Sequence, residues 1–126
     1  MDINISPGCV KQSAFIVGNS HTASFLGSGT LEVLATPALI AFLENTAMEC
    51  VQNSLPKGFT TVGTYIEMNH LKATALGKEV NTEAVLQSFE GKRLVFGIVA
   101  YCGDDLIASG IHHRFIVNIQ PFLDKL

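Results

Sequence analysis

Four positions in this 126-residue chain could support acid–base or carbonyl chemistry. Glu44 follows Ile40 by four residues and precedes Ala47 by three and Val51 by seven. On a helix that spacing puts a carboxylate on an apolar stripe. Such a group should have partners or a raised pKa, because an unpaired buried carboxylate is costly. A Glu at the edge of the stripe, reaching water or a structural partner, fits the spacing equally well. His70 ends the alternation Val62, Thr64, Ile66, Met68, which predicts one face of a strand. It is either a satisfied histidine at a strand end or a general base near the helix carboxylate. Thr36 stands before Pro37 and predicts a helix N-cap, and its hydroxyl can also bond a carbonyl or carboxylate. Gly63, in mid-strand, predicts a bulge or the close approach of a backbone N–H to a ligand oxygen, as an oxyanion hole requires.

A helix and a strand must position these groups. Thr36-Pro37 opens a helix expected from about Pro37 to Ser54, and Pro56-Lys57-Gly58 stops it. Its apolar residues cover well over half its girth, so other structure should enclose it. Before it, residues 1–12 are weakly patterned and expected to be flexible. Ala14–Val17 reads as a short strand, and 18–31 as a Gly/Ser loop in which Phe25-Leu26 should pack down. After it, strands are expected at Thr60–Leu71, Glu79–Phe89, Leu94–Cys102 and Leu106–Asn118. Glu90-Gly91-Lys92 and Gly103-Asp104-Asp105 are the turns. In the second of these strands Val80, Ala84 and Leu86 oppose Glu79, Glu83 and Gln87. The third is almost continuously apolar, as in a strand covered on both faces. This order predicts an α+β fold, an antiparallel sheet covering one long helix, in a single domain over 1–126.

The chain is 48% hydrophobic and 15% charged, with a net charge of −3. That excludes a disordered tail or charged coiled coil and argues against a nucleic-acid partner. So little charge predicts that part of the apolar surface is buried in an oligomer. Met1-Asp2-Ile3-Asn4 has no basic n-region, so no signal peptide is expected, and no apolar run is long enough to span a membrane. Cys9, Cys50 and Cys102 have no CxxC spacing, which predicts neither a disulfide framework nor a zinc site; a reduced, cytoplasmic protein is expected. No metal is expected at the histidines: His112 and His113 point to opposite faces of a strand, and His21 is expected to be solvated in its loop.

The order of elements resembles the hotdog fold, in which a curved sheet wraps a central helix. Thr36, Glu44, Gly63 and His70, with their spacing, resemble the catalytic pattern of the fluoroacetyl-CoA thioesterase family of hotdog enzymes. Glu32-Val33-Leu34-Ala35-Thr36, Gly63-Thr64 leading to His70, Glu90-Gly91-Lys92-Arg93-Leu94 and Ser109-Gly110-Ile111-His112-His113-Arg114 carry the resemblance, which runs over about 32–124. It implies a triad of Thr36, Glu44 and His70, with the Gly63 N–H binding the thioester oxygen. It places the site at a homodimer interface, or within a dimer of dimers, where the helix of one subunit faces strand residues of the other. Arg114 matches a family arginine that is structural or orients acyl-CoA; as a strand residue alone it is expected to be solvated or ion-paired.

The implied chemistry is thioester hydrolysis without a metal or any cofactor beyond the coenzyme A of the substrate. Glu44 attacks the carbonyl or polarises a water, His70 activates the hydrolytic water, and Thr36 orients Glu44 or the carbonyl. The fluoroacetyl-specific enzyme carries a longer segment with an aromatic gate before its threonine. Ser28-Gly29-Thr30-Leu31 has no aromatic residue, so the expected substrate is a short or medium acyl-CoA. A non-catalytic acyl-CoA or hydrophobic-ligand binder, and an acyl-thioester hydratase or dehydratase, use the same residue types.

Overall fold

The computed structural model describes residues 3–126. Strand β1 (Val10–Ile16) is followed by a 3-10 turn at Asn19–His21 and a short helix α1 (Ala23–Leu26). The long helix α2 (Thr36–Gln52) comes next, then β2 (Phe59–His70), β3 (Glu79–Glu90), β4 (Arg93–Cys102), β5 (Asp105–Asn118) and α3 (Ile119–Asp124). The strands form one antiparallel sheet in the order β1-β3-β4-β5-β2. Strands β1 and β2 are therefore its edges.

Helix α2 lies on one face of the sheet. It buries Ala38, Leu39, Phe42, Leu43, Ala47 and Val51 against inward residues such as Val80, Ala84, Leu86, Leu94, Phe96 and Ile98. Phe15 of β1 stacks on Phe42 at 4.4 Å between ring centres. Thr46, also buried in α2, donates to the Phe42 carbonyl at 2.9 Å and shares a 2.6 Å hydrogen bond with Thr82. The helix can carry that hydroxyl inward because both its bonding partners are built into the core.

Several expectations change. Strand β1 starts at Val10, and the residues just before it are already tied to β3 through hydrogen bonds between Gly8, Cys9 and Leu86. Of the segment expected to be flexible, residues 1 and 2 lie outside the described residues. Phe25 and Leu26 do not pack down; they are 67% and 45% exposed, and the single turn of α1 buries none of its residues. Strand β4 is covered on one face only: Leu94, Phe96, Ile98 and Ala100 are buried, while Val95, Gly97 and Val99 between them are half-exposed. The helix is likewise not wholly enclosed, with Ala41 and Glu49 on an exposed side. The terminal α3 had no signal in the periodicity, since its six residues are too short to show one.

Strand β2 also departs from simple alternation. Its register with β5 shifts between Gly63 and Tyr65. The extra residue reverses the side-chain sense across the bulge. Gly63 pairs with Arg114, Ile66 with His112 and His70 with Ala108, so Gly63, Ile66, Met68 and His70 share the helix-facing side. Val62 and Thr64, expected beside them, do not belong to that alternation.

Candidate active site

Thr36 is the first residue of α2, and its N-cap is Ala35. The expected capping role is therefore absent: Thr36 lies one position too far into the helix for its hydroxyl to reach back over the free N–H groups. Pro37 follows in the first turn, where its missing N–H leaves nothing unbonded. The Thr36 hydroxyl instead bonds His70 Nδ1 at 2.8 Å. That bond ties the start of the helix to the last residue of β2. The other ring nitrogen, Nε2, is shielded and has no partner among the described residues. An orphaned buried nitrogen costs about 1–3 kcal/mol and is uncommon away from functional sites. Beside the pair lies a cavity of about 350 Å³, lined by Ala23, Ser28, Val33, Ala35, Leu71 and Ala73 among others.

A second cluster forms around Gly63. A Cβ on this residue would lie 2.9 Å from Glu44 Oε2, 3.3 Å from His112 Cε1 and 3.5 Å from Arg114 Nη1. Only glycine lets the helix carboxylate come so near the strand backbone. Glu44 is half-buried. Arg114 is 7% exposed, so it is not solvated, the first of its two expected placements as a strand residue. Its Nε donates to Thr61 Oγ1 at 2.7 Å and its Nη2 to the Thr61 carbonyl at 2.9 Å. Its Nη1 reaches His112 Nε2 at 3.1 Å.

The partners fix the state of His112. Its Nδ1 lies 2.9 Å from the Tyr65 carbonyl, which can only accept, so Nδ1 carries the proton. Nε2 then accepts from Arg114. Burial, reinforced by the Arg114 charge, lowers the His112 pKa, against the pull of the Tyr65 carbonyl and Glu44. Burial also lowers the Arg114 pKa, and the Glu44 carboxylate pulls it back up. A neutral imidazole thus braces the bulge at Tyr65 and holds the arginine toward the carboxylate.

All five residues singled out in the sequence therefore fall into two groups, Thr36 with His70 and Glu44 with Gly63 and Arg114. Among the described residues no hydrogen bond joins Glu44 to His70. Thr36 and Glu44 are separated by about 12 Å of helix rise. Thr61 and His112 are members that the sequence reading missed. Strand alternation could have found His112, since it sits two residues from Arg114 on the same face. His21 is not free in its loop either: Nδ1 accepts from the Gly18 N–H at 2.9 Å and the ring meets Phe42 edge-on. No helix among the described residues is long and apolar enough to cross a membrane.

Comparison with known proteins agrees with this architecture. Residues 17–120 match the FlK family, described as fluoroacetyl-CoA-specific thioesterase. The fluoroacetyl-CoA thioesterase of Streptantibioticus cattleyicolor is 34% identical over 95 residues, which are 75% of this chain and 68% of that protein. A variant of the fluoroacetyl-CoA-specific thioesterase FlK, crystallised with fluoroacetate and CoA, superposes with a TM-score of 0.89 at 29% identity, over 94% of this chain and 99% of that one. A hot-dog-like protein from Thermanaerovibrio acidaminovorans gives a TM-score of 0.85 at 26% identity, over 96% and 89% of the two chains. With this fold and a match over most of its length, the chain belongs to the fluoroacetyl-CoA-specific thioesterase family, a family of hotdog thioester hydrolases.

Proposed function

We propose that the protein hydrolyses a short or medium acyl-CoA thioester at a site shared between two copies of the chain. The observation that carries this reading is the division of the candidate residues along one edge strand. Gly63, with Glu44 above it, lies toward one end of β2, and His70, with Thr36, ends the other. Strand β2 is an edge of the sheet, so its outer backbone groups are open to pairing. A second copy laid antiparallel along β2, about a two-fold axis near Ile66 and Glu67, brings the Gly63 end of one strand beside the His70 end of the other. Both ends keep their helix-facing side in that arrangement. The low charge fraction and the half-exposed apolar outer face of β4 are compatible with further association into a dimer of dimers.

In this reading the Gly63 N–H and the Arg114 region cradle the thioester oxygen, where a preorganised donor is worth about 3 kcal/mol of barrier. Glu44 attacks the carbonyl carbon or draws a proton from water that does so. The carbonyl π pair moves to oxygen, and its return expels the CoA thiolate, which takes up a proton. His70, aligned by Thr36, activates the water that completes hydrolysis. The site uses no metal and no cofactor beyond the CoA of the substrate. Small and aliphatic residues make up most of the lining of the cavity beside Thr36, and Ser28–Leu31 places no aromatic ring there. That favours acyl groups other than fluoroacetyl. We read the chain as one cytoplasmic hotdog domain. Purified protein should release free thiol from members of an acyl-CoA panel, and Glu44→Gln and His70→Gln should each abolish the release. Tight acyl-CoA binding without release, or water addition to an enoyl-CoA, would replace this reading with a binding protein or a hydratase.

A further inference from the structure

Cys9 and Cys50, two of the three cysteines, pack at the margin of the core and take no part in the candidate active site. Cys9 Sγ lies 3.3 Å from Cys50 Sγ and 3.4 Å from the Cys50 carbonyl oxygen. Both residues are half-buried, so neither is sealed from solvent. Their backbones are held independently. The Gly8 N–H donates to the Leu86 carbonyl at 2.7 Å and the Leu86 N–H donates to the Cys9 carbonyl at 2.8 Å, which fixes Cys9 to β3. Cys50 sits within the last turns of α2. A disulfide has its sulfurs about 2.05 Å apart, so the pair closes by a little over ~1 Å, a side-chain adjustment. Burial and the neighbouring Cys9 sulfur push the Cys50 thiol up to about 12, with Lys11 opposing. Cys50 therefore stays a thiol at neutral pH and is the poorer first nucleophile of the two.

We propose that Cys9 and Cys50 form a reversible redox site that accepts a low-molecular-weight disulfide, such as glutathione disulfide, as its oxidant. The Cys9 sulfur bonds to one sulfur of the oxidant, whose S–S bond breaks and releases one small thiol. The Cys50 sulfur, giving up its proton, then displaces the second small thiol and closes the Cys9–Cys50 bond. The two protein thiols are oxidised and one small disulfide is reduced to two thiols. The bond ties the sheet edge to the far end of the helix across all of β1 and most of α2. This inference stands apart from the thioesterase reading and needs no substrate.

The test uses the full chain, folded, with glutathione disulfide at neutral pH. Free thiols should fall from three to one, and digestion without reductant should yield a peptide linking Cys9 to Cys50. Dithiothreitol should restore all three. Cys102→Ser should still form the link, and Cys50→Ser should retain glutathione on Cys9. Three persistent free thiols, glutathione retained on Cys9 or Cys50 of the unsubstituted chain, or a link that includes Cys102 would each overturn the proposal.

Discussion

The Thr36 hydroxyl and His70 Nδ1 are 2.8 Å apart and join the first residue of the long helix to the last residue of the edge strand. Thr36 is exposed, so its substitution removes little packing. Thr36→Val should lower the rate of thioester hydrolysis by on the order of 10²-fold by releasing the imidazole from its aligned position. Thr36→Ser should keep most of the rate, because it keeps the hydroxyl. Thermal unfolding of both variants should stay near that of the parent, within about 0.5 kcal/mol.

Gly63→Ala tests the close approach of Glu44. The new methyl group falls 2.9 Å from Glu44 Oε2, closer than a Cβ is found to any neighbour. The carboxylate must therefore swing away. Turnover should fall by on the order of 10²-fold, the effect of losing one aligned group or oxyanion donor. Urea unfolding should move much less, since Glu44 is only half-buried. Equal loss of stability and activity would count against a site at this position.

Arg114→Ala should be costly to the fold. It leaves Thr61 Oγ1, the Thr61 carbonyl and His112 Nε2 without their donor in a buried setting. A loss of about 3 kcal/mol by urea denaturation is expected. Arg114→Lys should be intermediate, because a single ammonium cannot reproduce the fork that reaches Thr61 and His112 together.

His112 should make stability depend on pH. Its folded pKa is lowered below the ordinary 6.5, mainly by burial. As pH falls through about 6.5, the unfolded chain takes up a proton that the folded chain resists. The contribution is present in full above that pH and is lost as pH falls toward the lowered folded value. Unfolding free energy measured from pH 7.5 down to 5 should drop less steeply in His112→Gln than in the parent.

Mixing two inactive chains tests the shared site. When Glu44→Gln and His70→Gln chains are co-expressed, a mixed dimer holds one site with Glu44 from one chain and His70 from the other. Random pairing should restore about a quarter of the parent activity. A site contained within each chain predicts no recovery, measured as thiol release from the co-purified mixture.

The elements were largely legible because each carries its own local signal. Thr36-Pro37 and Pro56-Lys57-Gly58 bracket a helix whose observed bounds, Thr36–Gln52, differ from the expected ones by one or two residues. The four strands after it are bounded by turns in which Gly91 and Gly103 have φ of 61° and 59°, a conformation that glycine adopts without strain. Less legible was the sense of each side chain along β2. Gly63 announced a bulge as one of its two readings, but the shift of side-chain sense that follows depends on how β2 meets β5.

The sequence by itself determined the order of helix and strands, and it put Thr36 and Glu44 on the helix and Gly63 and His70 on the strand that follows. Periodicity and turn chemistry act over a few residues, so they survive without a fold. Tertiary structure alone decided that Thr36 serves His70 rather than the helix end, that Arg114 is buried against Thr61 and His112, and that Cys9 meets Cys50. Each of those contacts joins residues far apart in the chain, and only packing of the helix against the sheet and pairing between strands bring them within bonding distance.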